Sequence, residues 1–493
     1  MFEDLSKLAV ALSKRRAIIE DQLVIMETAS NFRAFFEDDF EAIKDIIYNE
    51  LIEKTFSKAT LDKIRIQHLN IIRKPLNRKI SGIYDSEPKR YLKFDDEEQV
   101  QEDGTIKKLE SQKSKDQNSL LMDVLDKFDF SNKVKAALKV SEFFNIALVM
   151  PVYREDSPER LQYSLDVLLP DEYVPITGKD FLVLEKIMIN RLNDEKNMYW
   201  LVFTDEENYI VDSLGNKKVI EGRKEDDFEN VYGIIPISIL RKNIGGDFHG
   251  QPNWNLYNSQ LEADIALTDM RHSETYQHFG VYWGINTNLG TDTVFSPNTF
   301  IDLKVSDPTL PRPELNVLVP GVDFKALRDN VDWRIDKAQN LEGIPSASTS
   351  TDTNNLSGYS KEIDEGELNE MRELARATLW RFEIDLLNLI AIVWNYHNPG
   401  KRLDNKTGKF TVEFSEEKPH ENISDKTSRR KMEAEYKINT PIDFIMEDKE
   451  VSREEAEEIY NANKTFYDKL GTKPLTAIER ILNGGNGAES GKL

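Results

Sequence analysis

The chain has 493 residues, with 88 acidic side chains against 65 basic ones, a formal net charge of -23 and no cysteine. That acidity argues against ordinary binding in a DNA groove, which needs a basic footprint to neutralise phosphates, but it does not exclude a protein that must let DNA slide past without sticking. The missing cysteine removes disulfides, thiol nucleophiles and Cys-based zinc sites. A balance of 39% hydrophobic and 31% charged residues is that of a soluble globular protein with ample core.

No run approaches the roughly eighteen apolar residues of a membrane span. Met1-Phe2-Glu3-Asp4 lacks a basic start, and Leu8-Ala9-Val10-Ala11-Leu12 is too short for a signal core. A protein made and used without export, with no membrane partner, is expected.

In chain order, residues 3–85 read as helical. Leu5, Leu8, Leu12, Ile18, Ile19 and Leu23 open a first helix, a second lies around Phe32 to Leu51, and a third runs from about Leu61 to Tyr84. Between Ser86 and Ser119 the chain turns polar and predicts a surface excursion with little to bury. One helix is expected from about Leu120 to Asn145. From Ile146 to Asp212 the apolar period changes from 3.6 to 2, and Ala147–Tyr153, Tyr163–Leu169, Phe181–Asn190 and Met198–Thr204 read as antiparallel strands.

After the glycine-rich run Gly245–Gly250, a helix is predicted from Trp254 to Trp283. Its stripe is Trp254, Tyr257, Leu261, Ile265, Met270, Tyr276 and Phe279, whose helical spacing favours packing over base stacking. A compact β-like insertion follows from Ile285 to Pro320. A second helix then carries Phe324, Leu327, Val331, Ile335, Ala338 and Leu341 on one face. Its charged face offers Lys325–Asp329 and Arg328–Asp332 at pairing distance in sequence. Ile344 to Ser360 is rich in Ser, Thr and Asn, with no cation between Lys337 and Lys361. A long helix from Lys361 to Asn395 would be about 50 Å long and is stopped by Pro399-Gly400. A strand at Phe410–Phe414, a helical region from Asp425 to Leu482 and a flexible tail complete the chain.

Catalytic signatures are missing. There is no Walker A loop, no G-x-G-x-x-G, no G-x-S-x-G and no H-E-x-x-H. His68, His249, His272, His278, His397 and His420 read as packing or surface histidines. Glu454, Glu455, Glu457 and Glu458 read as a solvated helix face rather than a Mg²⁺ site. The expectation is a protein that is not an enzyme and holds no cofactor or metal.

The order of these elements, with a few short strings, resembles the portal proteins of tailed bacteriophages. Gly233-Ile234-Ile235-Pro236-Ile237 with Asn243 is similar to the passage leading into that family's first stem helix. Asn355-Leu356-Ser357-Gly358-Tyr359 resembles the start of its kinked helix. Phe410–Phe414, Ile423-Ser424, Thr427 and the helix at Glu454–Lys464 resemble its strand-to-crown passage. The N-terminal helices and the 86–119 segment have no clear counterpart in the family.

The resemblance implies an α+β, mainly α fold of portal type. It would have a wing over 1–253, a first stem helix over 254–283 and a clip over 284–320. A second stem helix over 321–343, a tunnel loop over 344–360, a long kinked helix with return strand over 361–424, and a crown with tail over 425–493 would follow. It implies a homo-oligomeric ring, dodecameric in the family, at one capsid vertex of the virion, assembled in the host cytoplasm. Double-stranded DNA would pass through its channel for packaging and ejection. The partners implied are the terminase large subunit, major capsid and scaffold proteins that the portal helps nucleate, and head-completion or tail adaptors.

Ser346, Ser348, Thr349, Ser350, Thr351, Asp352, Thr353, Asn354 and Asn355 would then form an uncharged or acidic loop that touches DNA without gripping phosphates. Lys325, Arg328, Arg334 and Lys337 are candidate channel charges. Asn298, Asp302, Lys304 and Arg312 are candidate contacts of the clip with motor and adaptor. Two other readings stand beside this one: a different phage connector or baseplate subunit, and a metal-dependent nucleic-acid-processing enzyme.

Overall fold

The structure, a computed structural model, describes residues 16–54, 64–84, 87–94, 97–100, 106–109, 112–155, 157–194, 197–212, 216–220, 224, 227–279, 281–285, 309, 312, 314–318, 323–342, 358–414, 423–449 and 453–469. The fold is α+β and mainly α, as the periodicities imply. Two compact units divide it: Met1–Thr353 with Asp364–Glu416, and Asn354–Ile363 with Glu417–Leu493.

In the larger unit, helices α1 (Arg16–Glu37) and α2 (Phe40–Lys54) meet where Asp38 takes φ 64. A short polar side chain tolerates that left-handed geometry better than most. Phe32 and Phe35 therefore end the first helix rather than begin the second, and both are buried. The predicted run from Leu5 to Leu12 lies outside the described residues.

Helix α3 (Arg73–Ile83) starts later than expected, because residues 64–71 form an irregular strap. The polar segment after it is also more ordered than its composition suggests. It contains strand β1 (Lys89–Lys93), the hairpin β2 (Glu97–Val100) and β3 (Ile106–Leu109), and the first turns of α4 (Gln112–Lys127). Leu92 of β1 is wholly buried, and Asn118 accepts its N–H at 2.7 Å. One apolar residue with a paired backbone suffices to pin a charged strand.

The single helix expected over 120–145 is two, α4 and α5 (Phe130–Phe144), broken at Asp129 with φ 49. Asn145, at φ 70, ends α5. Its amide donates to Asn243 O at 3.0 Å and His249 O at 3.1 Å, while its carbonyl accepts from Asn243 N at 3.0 Å. Gly250 sits against this amide with φ 66, and a Cβ there would fall 2.1 Å from the Asn145 nitrogen. Glycine is required on both counts.

Two antiparallel sheets follow. One has the order β11–β4–β5, from β4 (Ile146–Tyr153), β5 (Tyr163–Leu168) and β11 (Ser238–Arg241). The other has the order β10–β9–β8–β7–β6, from β6 (Tyr173–Thr177), β7 (Leu184–Asp194), β8 (Asn197–Phe203), β9 (Asn208–Val211) and β10 (Lys217–Lys218). Strand β6 is absent from the sequence reading because Pro175 and turn residues interrupt its alternation. Residues 146–150 of β4 are all buried. Ala147 and Val149 face the helices, whereas Ile146, Leu148 and Met150 face the second sheet. Burial on both faces is why this strand reads as a continuous apolar run.

The helical core is completed by the start of α6 (Trp254–Phe279) and by residues 379–394 of the 40-residue helix α8 (Gly358–His397). Between these two come strands β12 (Val281–Ile285) and β13 (Glu314–Leu318) and helix α7 (Phe324–Leu341). Strand β14 (Lys409–Glu413) pairs with β1, a partner that no local pattern announced.

The smaller unit contains α9 (Ile423–Glu435), α10 (Pro441–Lys449) and α11 (Arg453–Lys469). Thr440 and Asp443 cap α10 reciprocally: Thr440 N donates to Asp443 Oδ2 at 2.7 Å, and Asp443 N donates to Thr440 Oγ1 at 3.4 Å. The acidic face of α11 is exposed at Glu455, Glu457 and Glu458, in line with a solvated reading.

Candidate functional site

The candidate site is the hairpin of helices α6 and α7, joined at its far end by the antiparallel strands β12 and β13. Val281 pairs with Leu318 and Ile285 with Glu314. Helix α6 thus ends at Phe279, and Val281–Trp283, expected as its last turn, already belongs to a strand. Alternating Val281 and Trp283 with β-branched and aromatic character suits that strand.

Helix α7 begins at an N-cap, Asp323, whose carboxylate accepts from Lys325 N at 3.0 Å and Ala326 N at 3.1 Å. It ends on Glu342, whose carboxylate is buried. There Asn253 Nδ2 donates to Glu342 Oε1 at 2.6 Å, and Asn253 Oδ1 accepts from Leu256 N at 3.1 Å at the start of α6. One asparagine therefore caps α6 and ties the two open ends of the hairpin together.

Lys79 of α3 completes this knot. Its ammonium donates to Glu342 and, at 3.3 Å, to Glu142 of α5, which also pairs with Lys242 at 2.9 Å. Burial works to raise the Glu342 carboxyl, but the Lys79 charge and the hydrogen bonds outweigh it and hold the carboxyl below its usual range. Lys79 shows the matching result: burial alone would lower its ammonium, and the two carboxylates raise it.

Tyr257 of the predicted apolar stripe is buried as expected, but beyond the first turn of α6 the buried face differs from that stripe. Trp254 is exposed, Leu261 and Ile265 are half-buried, and Gln260, Asp264 and Thr268 are fully buried. These polar residues bind the backbone of the strap. Gln67 N donates to Thr268 Oγ1 at 3.0 Å, Leu69 N to Asp264 Oδ1 at 3.0 Å, and Ile71 N to Gln260 Oε1 at 2.7 Å. The fit is geometric: two extended residues advance about 6.6 Å and four helical residues about 6 Å, so alternate N–H groups meet every fourth side chain. The signal was in the sequence as a Gln-x-x-x-Asp-x-x-x-Thr repeat, which hydrophobic patterning passes over.

His68 locks the strap. Its Nδ1 lies 2.7 Å from Asp264 Oδ2 and its Nε2 2.8 Å from Asp38 Oδ1. Burial would lower the imidazole, but the hydrogen bonds and charges of Asp264 and Asp38 raise it above its ordinary value. A group raised on folding contributes stability that is complete below its unfolded pKa and lost as pH rises through the folded one. His68→Gln is therefore expected to destabilise the protein most at pH 6. Urea midpoints of both proteins should converge as pH rises from 6 to 9; a constant gap would disprove the imidazolium assignment.

Other histidines pack. His249 is buried, with Nε2 3.3 Å from Gln22 Oε1, and burial pushes it down to about 4. His397 stacks on Tyr153 at 3.9 Å and lies 3.0 Å from Tyr232 Oη. His420 lies outside the described residues.

Of the candidate channel charges, Lys325, Arg328 and Lys337 are exposed on α7. Arg328 lies 3.9 Å from Asp329, its chain neighbour, and neither predicted i,i+4 pair forms among the described residues. Arg334 turns to the neighbouring helix at the surface: it pairs with Glu262 of α6, and its Nε donates to Asn330 Oδ1 at 2.9 Å. Its charge joins the two helices. Of the expected apolar stripe only Val331 and Ala338 are buried, while Leu327, Leu341 and, off the stripe, Trp333 are exposed. Arg312 is exposed; Asn298, Asp302 and Lys304 lie outside the described residues. So do all the candidate loop residues from Ser346 to Asn355.

No helix among the described residues is long and apolar enough to cross a membrane, and no group of three or more His, Asp or Glu among them is placed to hold a metal ion.

No protein-family model matches the chain, and no curated protein matches it. Among solved structures it is similar to one described as the neck of an empty GTA particle computed with C6 symmetry. The identity is 11% and the TM-score 0.31, over 74% of this chain and 85% of that one. A likeness so slight does not bear on function, which has to be read from the chain's own residues.

Proposed function

We propose that this chain is a non-enzymatic portal subunit: a member of a closed ring through which DNA is packaged into and released from a phage head. The observation that carries the proposal is the long helical hairpin closed by a strand pair, followed in sequence by the 40-residue α8. Its outer surface fits a subunit that has neighbours. Trp333 of α7 is 59% exposed, and Leu374 of α8 is 74% exposed. Covering such side chains against an adjacent copy would contribute about 1.5–3 kcal/mol each, and heterologous contacts that return on themselves close a ring.

In this role the hairpin lines the channel, and the segment between β12 and β13 meets the terminase motor and later the adaptors. ATP hydrolysis belongs to the motor. Capsid and scaffold contacts fall to the surfaces of the larger unit away from the hairpin.

The deciding experiment is negative-stain electron microscopy with mass photometry on one sample. The expected result is rings with a central hole, built from about a dozen 57.0 kDa subunits. A compact dimer without a hole would overturn the proposal.

A further inference from the structure

Several cations among the described residues answer a carboxylate. Lys113 meets Asp404 at 2.6 Å, Lys135 meets Glu87 at 2.7 Å and Lys217 meets Glu207 at 2.8 Å. Helix α3 is different. Its sequence, Arg73 to Ile83, contains no acidic residue. Its inner face buries Leu76, Lys79, Ile80 and Ile83. Its outer face, with Asn70 before it, forms an open depression of about 540 Å³ lined by Asn70, Arg73, Lys74, Asn77, Arg78 and Ser81.

Every lining side chain there is cationic or a neutral hydrogen-bond former, and none is acidic. Arg73 and Lys74 are exposed, and neither has an ion-pair partner among the described residues. The spacing is regular: Arg73, Asn77 and Ser81 form one i,i+4 row, and Lys74 and Arg78 a second row beside it. The rows extend over about 12 Å at the helical rise. The charge is local and contrary to the chain's net -23, so a bulk-electrostatic explanation does not account for it.

We infer that this depression is a binding site for phosphate groups. Guanidinium, ammonium and carboxamide donors on one open face are the donor set that phosphate oxygens accept from. The phosphate has two possible sources, a free phosphate ion or the backbone of a nucleic acid, and the 12 Å reach of the rows admits a backbone segment as well as a single ion. The inference does not depend on ring formation.

The test uses the full chain and a fluorescent 20-base-pair duplex, read by anisotropy from about 25 to 150 mM salt. Arg73→Gln/Lys74→Gln is expected to weaken duplex binding at least tenfold and to lower the slope of log K against log salt by about 2. Lys115→Gln/Lys401→Gln removes the same charge from exposed sites elsewhere and should change affinity less than twofold. Inorganic phosphate is added against chloride at equal ionic strength. If phosphate displaces the duplex, one phosphate group fills the site; if only unlabelled duplex displaces it, a backbone segment does. Equal weakening by both double variants, or no binding of duplex or phosphate by the native chain, would overturn the site. Displacement by polyglutamate alone would also overturn it, in favour of an acidic protein partner. Rings seen by microscopy alongside any of these failures would leave the portal reading standing.

Discussion

Replacing Lys79 by Met is expected to cost about 3–5 kcal/mol. The reason is what remains. Lys79 is 5% exposed and stands between Glu142 and Glu342, which are 6% and 5% exposed. Without the ammonium, two carboxylates face each other in a desolvated pocket, and an uncompensated buried charge is costlier than a lost contact. Lys242 offsets part of this at Glu142, from its more exposed position. Glu342 keeps the amide of Asn253 and the more distant charge of Lys242.

The pH dependence has a definite sign. In the native protein the Glu342 carboxyl is lowered on folding, so it contributes stability above its unfolded pKa that is lost as pH falls through the folded one. In the variant, burial opposed only by Asn253 and the more distant Lys242 raises it instead, and the folded form takes up a proton. The variant should therefore recover part of its deficit as pH falls from 8 to 5. Lys79→Met/Glu142→Gln/Glu342→Gln should recover most of it at every pH, because neutral amides leave no bare carboxylate and the partly exposed Lys242 ammonium can be solvated. Urea unfolding of the single and triple variants checks both statements; a triple variant as unstable as the single one would show that packing, not charge, is responsible.

How much of this was legible beforehand follows from what patterns encode. The long helix α8, the helix α7 and the antiparallel sheets were readable, because their apolar residues repeat at 3.6 or 2 and stop at Pro, Gly or Asp. The strap at 64–71 was misread as helix: Ile64 and Ile71 stand seven apart, as on one helix face, while its true partners are side chains of α6 nearly two hundred residues away. Strand β1 was misread for the complementary reason. Its charges are real, and its order comes from Leu92 and from pairing with β14, a long-range fact absent from any local window. Within the site, the charges of α7 were identifiable by type, but only packing shows that Arg334 turns to Glu262 while Lys325 and Lys337 stay in solvent. The knot at Lys79 was invisible because it draws single residues from α3, α5 and the ends of α6 and α7.

The second large effect is expected at Glu383, where α8 is fastened to the helical core. Glu383 is fully buried and receives three donors: Arg90 Nε at 2.7 Å, Arg90 Nη2 at 3.1 Å and Tyr84 Oη at 2.5 Å. Arg90 lies over the ring of Phe130 at 4.7 Å and also donates to Ser131 Oγ at 3.2 Å. This one carboxylate thus ties α8 to α3 through Tyr84, to β1 through Arg90 and to α5 through Phe130. Glu383→Leu fits the volume but leaves a guanidinium whose side chain is 6% exposed with only the longer 3.6 Å ion pair to Glu87, and about 3–5 kcal/mol should be lost. Arg90→Met alone should cost a comparable amount by stranding the carboxylate. The double variant should cost less than the sum by at least 2 kcal/mol, the signature of a direct buried pair. Strict additivity would mean that Glu383 acts through Tyr84 instead, and Tyr84→Phe in each background would then show the missing coupling. Because Leu374 and Trp380 lie outside this anchor on the exposed side of α8, the double variant should keep any self-association of the native chain while its unfolding midpoint falls. Stability and assembly are read from different faces of the same helix.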